Sequence, residues 1–101
     1  MMLTTSPGPP RLPGYDLHEP NEDDARMSLA RVFGAERGAE LWTQACREAG
    51  LFPGHVRTTI LLDRTVKALA AQGGAAAMVA RSLEIRLRTY ARLAAKAQRQ
   101  G

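Results

Sequence analysis

The chain has a single cysteine in 101 residues, Cys46. That excludes an internal disulfide and fits a reducing compartment. Aromatic side chains are almost as scarce, with one tryptophan, two tyrosines and two phenylalanines, so the core must be aliphatic and alanine-rich. No run approaches the ~18 apolar residues that a membrane helix needs. The opening MMLTTSPGPPRLPGY also lacks the charged lead and apolar block of a secretory signal. These absences make the cytoplasm the expected location and leave no membrane partner.

Acids are scarce in the second half. Residues 51–101 hold two, Asp63 and Glu84, against nine bases, whereas residues 1–50 hold eight acids and five bases. A basic half is the electrostatic footprint of a surface for anionic partners, nucleic acid included. The alternative is that the acidic half folds over the basic half and neutralises it. Arginine outnumbers lysine 12 to 2. Its planar fork suits carboxylates and phosphates better than an ammonium does.

Reactive groups are sparse as well. His18 and His55 lie at no ligand spacing from each other or from Cys46, so zinc coordination has no support and both read as surface histidines. Cys46 shares a helix face with Trp42 and Ala49, which marks it as a small core residue rather than an activated thiolate. Trp42 reads as a core anchor. Glu36, Glu40 and Glu48 follow a solvated helix side. The Gly73-Gly74 pair lacks the lysine and strand of a phosphate loop and reads as a helix stop. The expectation is a protein that is not an enzyme, with no cofactor, no metal and no small-molecule substrate.

Five of the six prolines fall within residues 1–20, which predicts a flexible, extended tail. Tyr15 and Leu17 are its apolar groups suited to anchoring. An ordered helical domain is expected over residues 21–98, with a frayed end at 99–101. Asn21 can cap a first helix whose opening turn holds Glu22, Asp23 and Asp24, favourable at the positive end of the helix dipole. Leu29, Val32 and Phe33 supply its buried face, and Gly34 stops it. A second helix, from about residue 36 to 49, buries Leu41, Trp42, Ala45, Cys46 and Ala49. Gly50 then suits a left-handed ending with Leu51 folding back towards Cys46.

The segment HVRTTILLDRTVKALAAQGG carries two periodicities. Val56, Thr58, Ile60 and Leu62 alternate as in a strand, while Leu62, Val66 and Leu69 follow a helix. The helical reading, from about residue 59 to 72 with an extended lead-in at 55–58, is preferred. The string Arg57-Thr58-Thr59-Ile60-Leu61-Leu62-Asp63, followed by a helical run, a glycine turn and a second helix, resembles the ribbon-helix-helix pattern of small antitoxin-type repressors across residues 56–90 at most. That resemblance implies a dimer whose paired strands enter the DNA major groove, with Arg57 and Thr59 at the outward positions. Leu61 on the DNA face, the long last helix and the roughly fifty-five preceding residues depart from the pattern.

The last quarter of the chain is the most informative. At ~100° per residue, Ala76, Ala80, Leu83, Leu87, Tyr90, Ala94 and Ala97 form one apolar stripe, and from about Leu93 the helix outruns its neighbours. Opposite the stripe, Met78, Arg81, Ile85, Arg88 and Arg92 fall within about a quarter turn. Apolar residues among arginines resemble a protein interface more than a phosphate track. The sequence therefore predicts an all-α bundle of about four helices with a long last helix. It binds a protein partner, or self-associates, through those five residues. A DNA-binding regulator is the alternative.

Overall fold

The computed structural model describes residues 18–99 and the backbone of residue 100. The expected tail falls almost wholly at residues 1–17, with Tyr15 and Leu17, and so lies outside the described residues. Four helices follow in order: α1 (Glu22–Phe33), α2 (Ala35–Glu48), α3 (Thr59–Ala70) and α4 (Gly74–Gln100). The all-α bundle with a long last helix is the architecture expected from the periodicities.

Each helix begins and ends for a local reason. Asn21 accepts a hydrogen bond from the Asp24 N–H at 3.0 Å, and the Asp24 carboxylate accepts from the Asn21 N–H at 2.9 Å. This reciprocal capping box satisfies two otherwise orphaned donors. Gly34 alone separates α1 from α2. Its φ of 89° and ψ of 165° belong to a region essentially restricted to glycine. Its N–H closes α1 on the Ala30 carbonyl, while its own carbonyl accepts from Gly38 at the start of α2.

α2 ends in a Schellman motif. Gly50 is left-handed with φ 79°, Leu51 N–H donates to the Cys46 carbonyl at 2.8 Å, and Gly50 N–H donates to the Arg47 carbonyl at 3.1 Å. The helical reading of the ambiguous segment holds. Thr58 is extended and caps α3 through its hydroxyl, which accepts from Leu61 N–H. The strand that a ribbon-helix-helix dimer requires is absent, because Thr59 to Leu62 form the first turn of α3.

Neighbouring helices pack in chain order, and α1 also meets α4, though far less extensively than it meets α2. The core unites Ala25 and Leu29 of α1, Leu41, Trp42, Ala45 and Cys46 of α2, Val56 of the connecting loop, Leu62, Val66 and Leu69 of α3, and Ala76, Val79, Ala80, Leu83 and Leu87 of α4. Thr65 is the one buried polar residue among those described, and its hydroxyl donates to the Leu61 carbonyl at 2.9 Å.

Four expected burials are corrected, the first being Phe33, which is only half-buried against the core. Val32 is 56% exposed, since it lies at the edge of the α1 face rather than on it. Ala49 is half-buried because it caps α2 instead of continuing it. Tyr90 is half-buried too, and Ala94 and Ala97 are half-buried on the stretch of α4 expected to outrun its neighbours. At 1.5 Å per residue the 27-residue α4 spans about 40 Å, against about 18 Å for α3.

Candidate functional site

α4 divides its side chains sharply. Ala76, Val79, Ala80, Leu83 and Leu87 are buried. All five residues that the sequence placed on the opposite side, Met78, Arg81, Ile85, Arg88 and Arg92, are exposed. Met78 is 74% and Ile85 52% exposed. Large apolar side chains left in water at i and i+7 on one helix face forgo burial worth roughly 1.5–3 kcal/mol each.

The structure adds a neighbour that sequence reasoning missed. α1 runs antiparallel to α4, with Arg86 reaching Asp24 at 3.8 Å near one end and Val32 beside Met78 at the other. Between them lies an open groove of about 350 Å³ lined by Ser28, Arg31, Val32, Met78, Val79 and Ser82. Met78 is thus one wall of a two-helix groove, with Val32 as the facing wall. The helical pattern of α1 could not reveal this, because which flank of α1 meets α4 is a tertiary fact.

The other flank of α4 faces α3. There Ile60, 75% exposed, lies with Thr59, Asp63, Leu87, Arg88 and Ala91 around a second shallow depression. Arg88 therefore stands between two apolar surfaces. No described carboxylate forms an ion pair with Arg81, Arg88 or Arg92; the described pairs are His18–Asp24, Arg37–Glu40, Lys67–Asp63 and Arg86–Asp24. The acidic half does not cover this face with its described residues. Of its first-turn acids, Glu22 and Asp24 are already engaged by other partners.

Glu22 is the clearest case of such occupation, and the sequence did not signal it. One carboxylate oxygen accepts from the Trp42 indole N–H at 2.8 Å and from the Gly54 N–H at 2.7 Å, and the other accepts from Val56 N–H at 3.3 Å. A single side chain so ties the start of α1 to α2 and to the loop before α3. Its partner Trp42 is fully buried, a core anchor as expected.

The remaining reactive groups are placed as follows. Cys46 is fully buried, and its thiol is pushed up from 9.0 to about 11 by burial first and by the Glu22 carboxylate second, with Arg26 opposing. It is protonated at neutral pH and shielded from reagents. His18 is not a free surface histidine: it is half-buried, with its imidazole against the Asp24 carboxylate at 3.1 Å. His55 stands exposed, edge-on to Phe52 with ring centroids 6.4 Å apart. No group of three or more His, Cys, Asp or Glu side chains suited to a metal occurs among the described residues. No described helix is long and apolar enough to cross a membrane. No protein-family profile matches the chain, and no curated protein or solved structure matches it significantly.

Proposed function

We propose that this chain is a non-enzymatic, cytoplasmic interaction or regulatory module that binds a protein partner through the outer face of α4. The observation that carries this reading is the exposure of Met78 and Ile85 on the same sector as Arg81, Arg88 and Arg92. Aliphatic side chains framed by arginines match the composition of a protein interface, where apolar anchors supply burial and arginines on the rim supply paired hydrogen bonds. A purely solvated face has no use for the anchors. A phosphate-tracking face would place donors there instead.

Serine substitution separates the two kinds of partner, because it removes apolar area and leaves the positive field intact. The test is capture from the native cell by the tagged chain, compared with Ile85→Ser and Met78→Ser. A protein partner should be lost or strongly depleted with either variant and retained as salt is raised. Nucleic acid should be captured equally by all three and released steeply and log-linearly with salt. Capture of one protein set by wild type and both variants alike would remove this face from the proposal.

A further inference from the structure

The same face has a second wall, and its shape and charge together narrow the kind of partner. We infer that the groove between α1 and α4 receives an acidic amphipathic helix from a different protein. This deepens the interaction reading above and rests on it.

The spacing comes first. Met78 and Ile85 lie seven residues apart on one line of α4, about 10.5 Å along its axis. Across the groove α1 runs antiparallel and offers Val32, 56% exposed, beside Met78. Met78 with Val32 facing it, and Ile85 two turns further along α4, are the complement of a helix with apolar residues at i, i+3 or i+4, and i+7. Ser28 and Ser82 line the groove beside Val32 and Met78. Their small side chains let another helix approach closely.

The charge follows the same geometry. Arg31 lines the groove on the α1 side, and Arg81 is exposed on the outer side of α4, while Arg88 lies further round, at the depression beside α3. The acid nearest the groove, Asp24, is already engaged by Asn21, His18 and Arg86. An occupant with carboxylates on both flanks of its apolar stripe gains charge-assisted pairs along its length. A second copy of this chain does not fit, since pairing this face with itself would set Arg81, Arg88 and Arg92 against their own counterparts. Like charges opposed across an interface are strongly unfavourable.

The experiment is selection of displayed random helical peptides against the full-length chain, followed by anisotropy titration of enriched peptides with the wild-type chain and its variants. Enriched sequences should carry an apolar stripe at the stated spacing flanked by Asp and Glu. Their affinity should fall about tenfold or more on Met78→Ser, on Ile85→Ser and on Val32→Ser, as loss of a covered aliphatic anchor implies. It should fall by a similar factor on Arg31→Glu. All four positions are at the surface, and helical circular dichroism checks that each variant stays folded. Enriched peptides that need Met78 and Ile85 but ignore Val32, or that show no acidic bias, would overturn the acidic-helix inference and leave the α4 face standing. Failure to enrich, or peptides indifferent to all four substitutions, would overturn the acidic-helix inference, and capture with Ile85→Ser and Met78→Ser decides separately whether the α4 face stands.

Discussion

Removal of the Glu22 carboxylate is the sharpest perturbation the fold offers, because one side chain serves three donors. Glu22→Ala leaves the indole N–H of the fully buried Trp42 without its protein acceptor. An orphaned buried donor costs about 1–3 kcal/mol. Val56 is buried as well, and its N–H loses a longer bond, while exposed Gly54 can rehydrate. The expected loss for Glu22→Ala is about 3–5 kcal/mol. That is a large share of the roughly 4–12 kcal/mol available to about eighty ordered residues at 0.05–0.15 kcal/mol each.

Glu22→Gln tests the geometry rather than the bulk. The two shortest bonds, from Trp42 and Gly54, converge on one oxygen, which the glutamine carbonyl can supply. The amide nitrogen then faces the Val56 N–H, donor against donor. The expected cost is about 1–2 kcal/mol, the loss of charge assistance and of the weakest bond. Trp42 is the only tryptophan, so urea unfolding followed by its fluorescence reports on this corner directly. With a urea slope of about 1 kcal/mol per molar for a small domain, the midpoint should drop by roughly 1–2 M for glutamine and by more for alanine. If alanine leaves the midpoint unchanged, or glutamine is as damaging as alanine, the three-donor clamp does not hold this corner together.

Leu87→Ala truncates a leucine only 9% exposed where α3 meets α4, and should cost about 2–5 kcal/mol in urea unfolding; a harmless substitution would show that the faces of α4 are wrongly assigned. Gly38→Ala should destabilise by about 1 kcal/mol net: the new Cβ would lie 3.0 Å from backbone atoms of Ala30 and Leu29, and overpacking of about 1–3 kcal/mol exceeds the helix-propensity gain of roughly 1. A rise in melting temperature would refute that balance. Stability should also fall at alkaline pH through Cys46. Its folded pKa of about 11 lies above the ordinary 9.0, so the contribution is intact below pH 9 and is lost as pH rises towards 11, by about 2–3 kcal/mol in all. Cys46→Ala should flatten this part of the pH–stability curve, and an unchanged curve would count against the shift.

The helices were legible because their signals are local. Asn21, Gly34, Gly50 and Gly73 punctuate the chain, and each acts where composition and periodicity placed it, while the Thr58 cap emerges only in the fold. Leu62, Val66 and Leu69 decided helix over strand for α3, since their spacing persists for the whole segment while the alternation ends at Leu62. Relations between helices were not legible. Val32 was read as core because it lies three residues after Leu29, yet the side of α1 that holds Val32 faces the open groove. Glu22 read as a dipole-favourable first-turn acid, and nothing in its neighbours announced a reach of twenty residues to Trp42. On α4 the division into two faces was legible, because a single long helix fixes which residues oppose one another. The α1 wall of the groove was not.

The groove itself follows from how α1 is held. Gly38 has no side chain where α2 crosses α1, so the two backbones approach to within the reach of a single methyl group. Glu22 fastens the other end of α1 to Trp42 and to the loop at Gly54 and Val56. Both devices draw α1 onto α2. α4 is drawn the other way, packing chiefly on α3, where Leu87 lies beside Thr59, Ile60 and Asp63. The two outer helices then meet only along a narrow line at Val79, with the Arg86–Asp24 pair near one end. Val32 and Met78 are left facing one another across solvent instead of interlocking. The exposed apolar surface is thus a consequence of the contacts that stabilise the two helix pairs, and it sits beside the most basic helix of the chain. A substitution that loosens α1 from α2, such as Gly38→Ala, therefore acts on the groove as well as on stability.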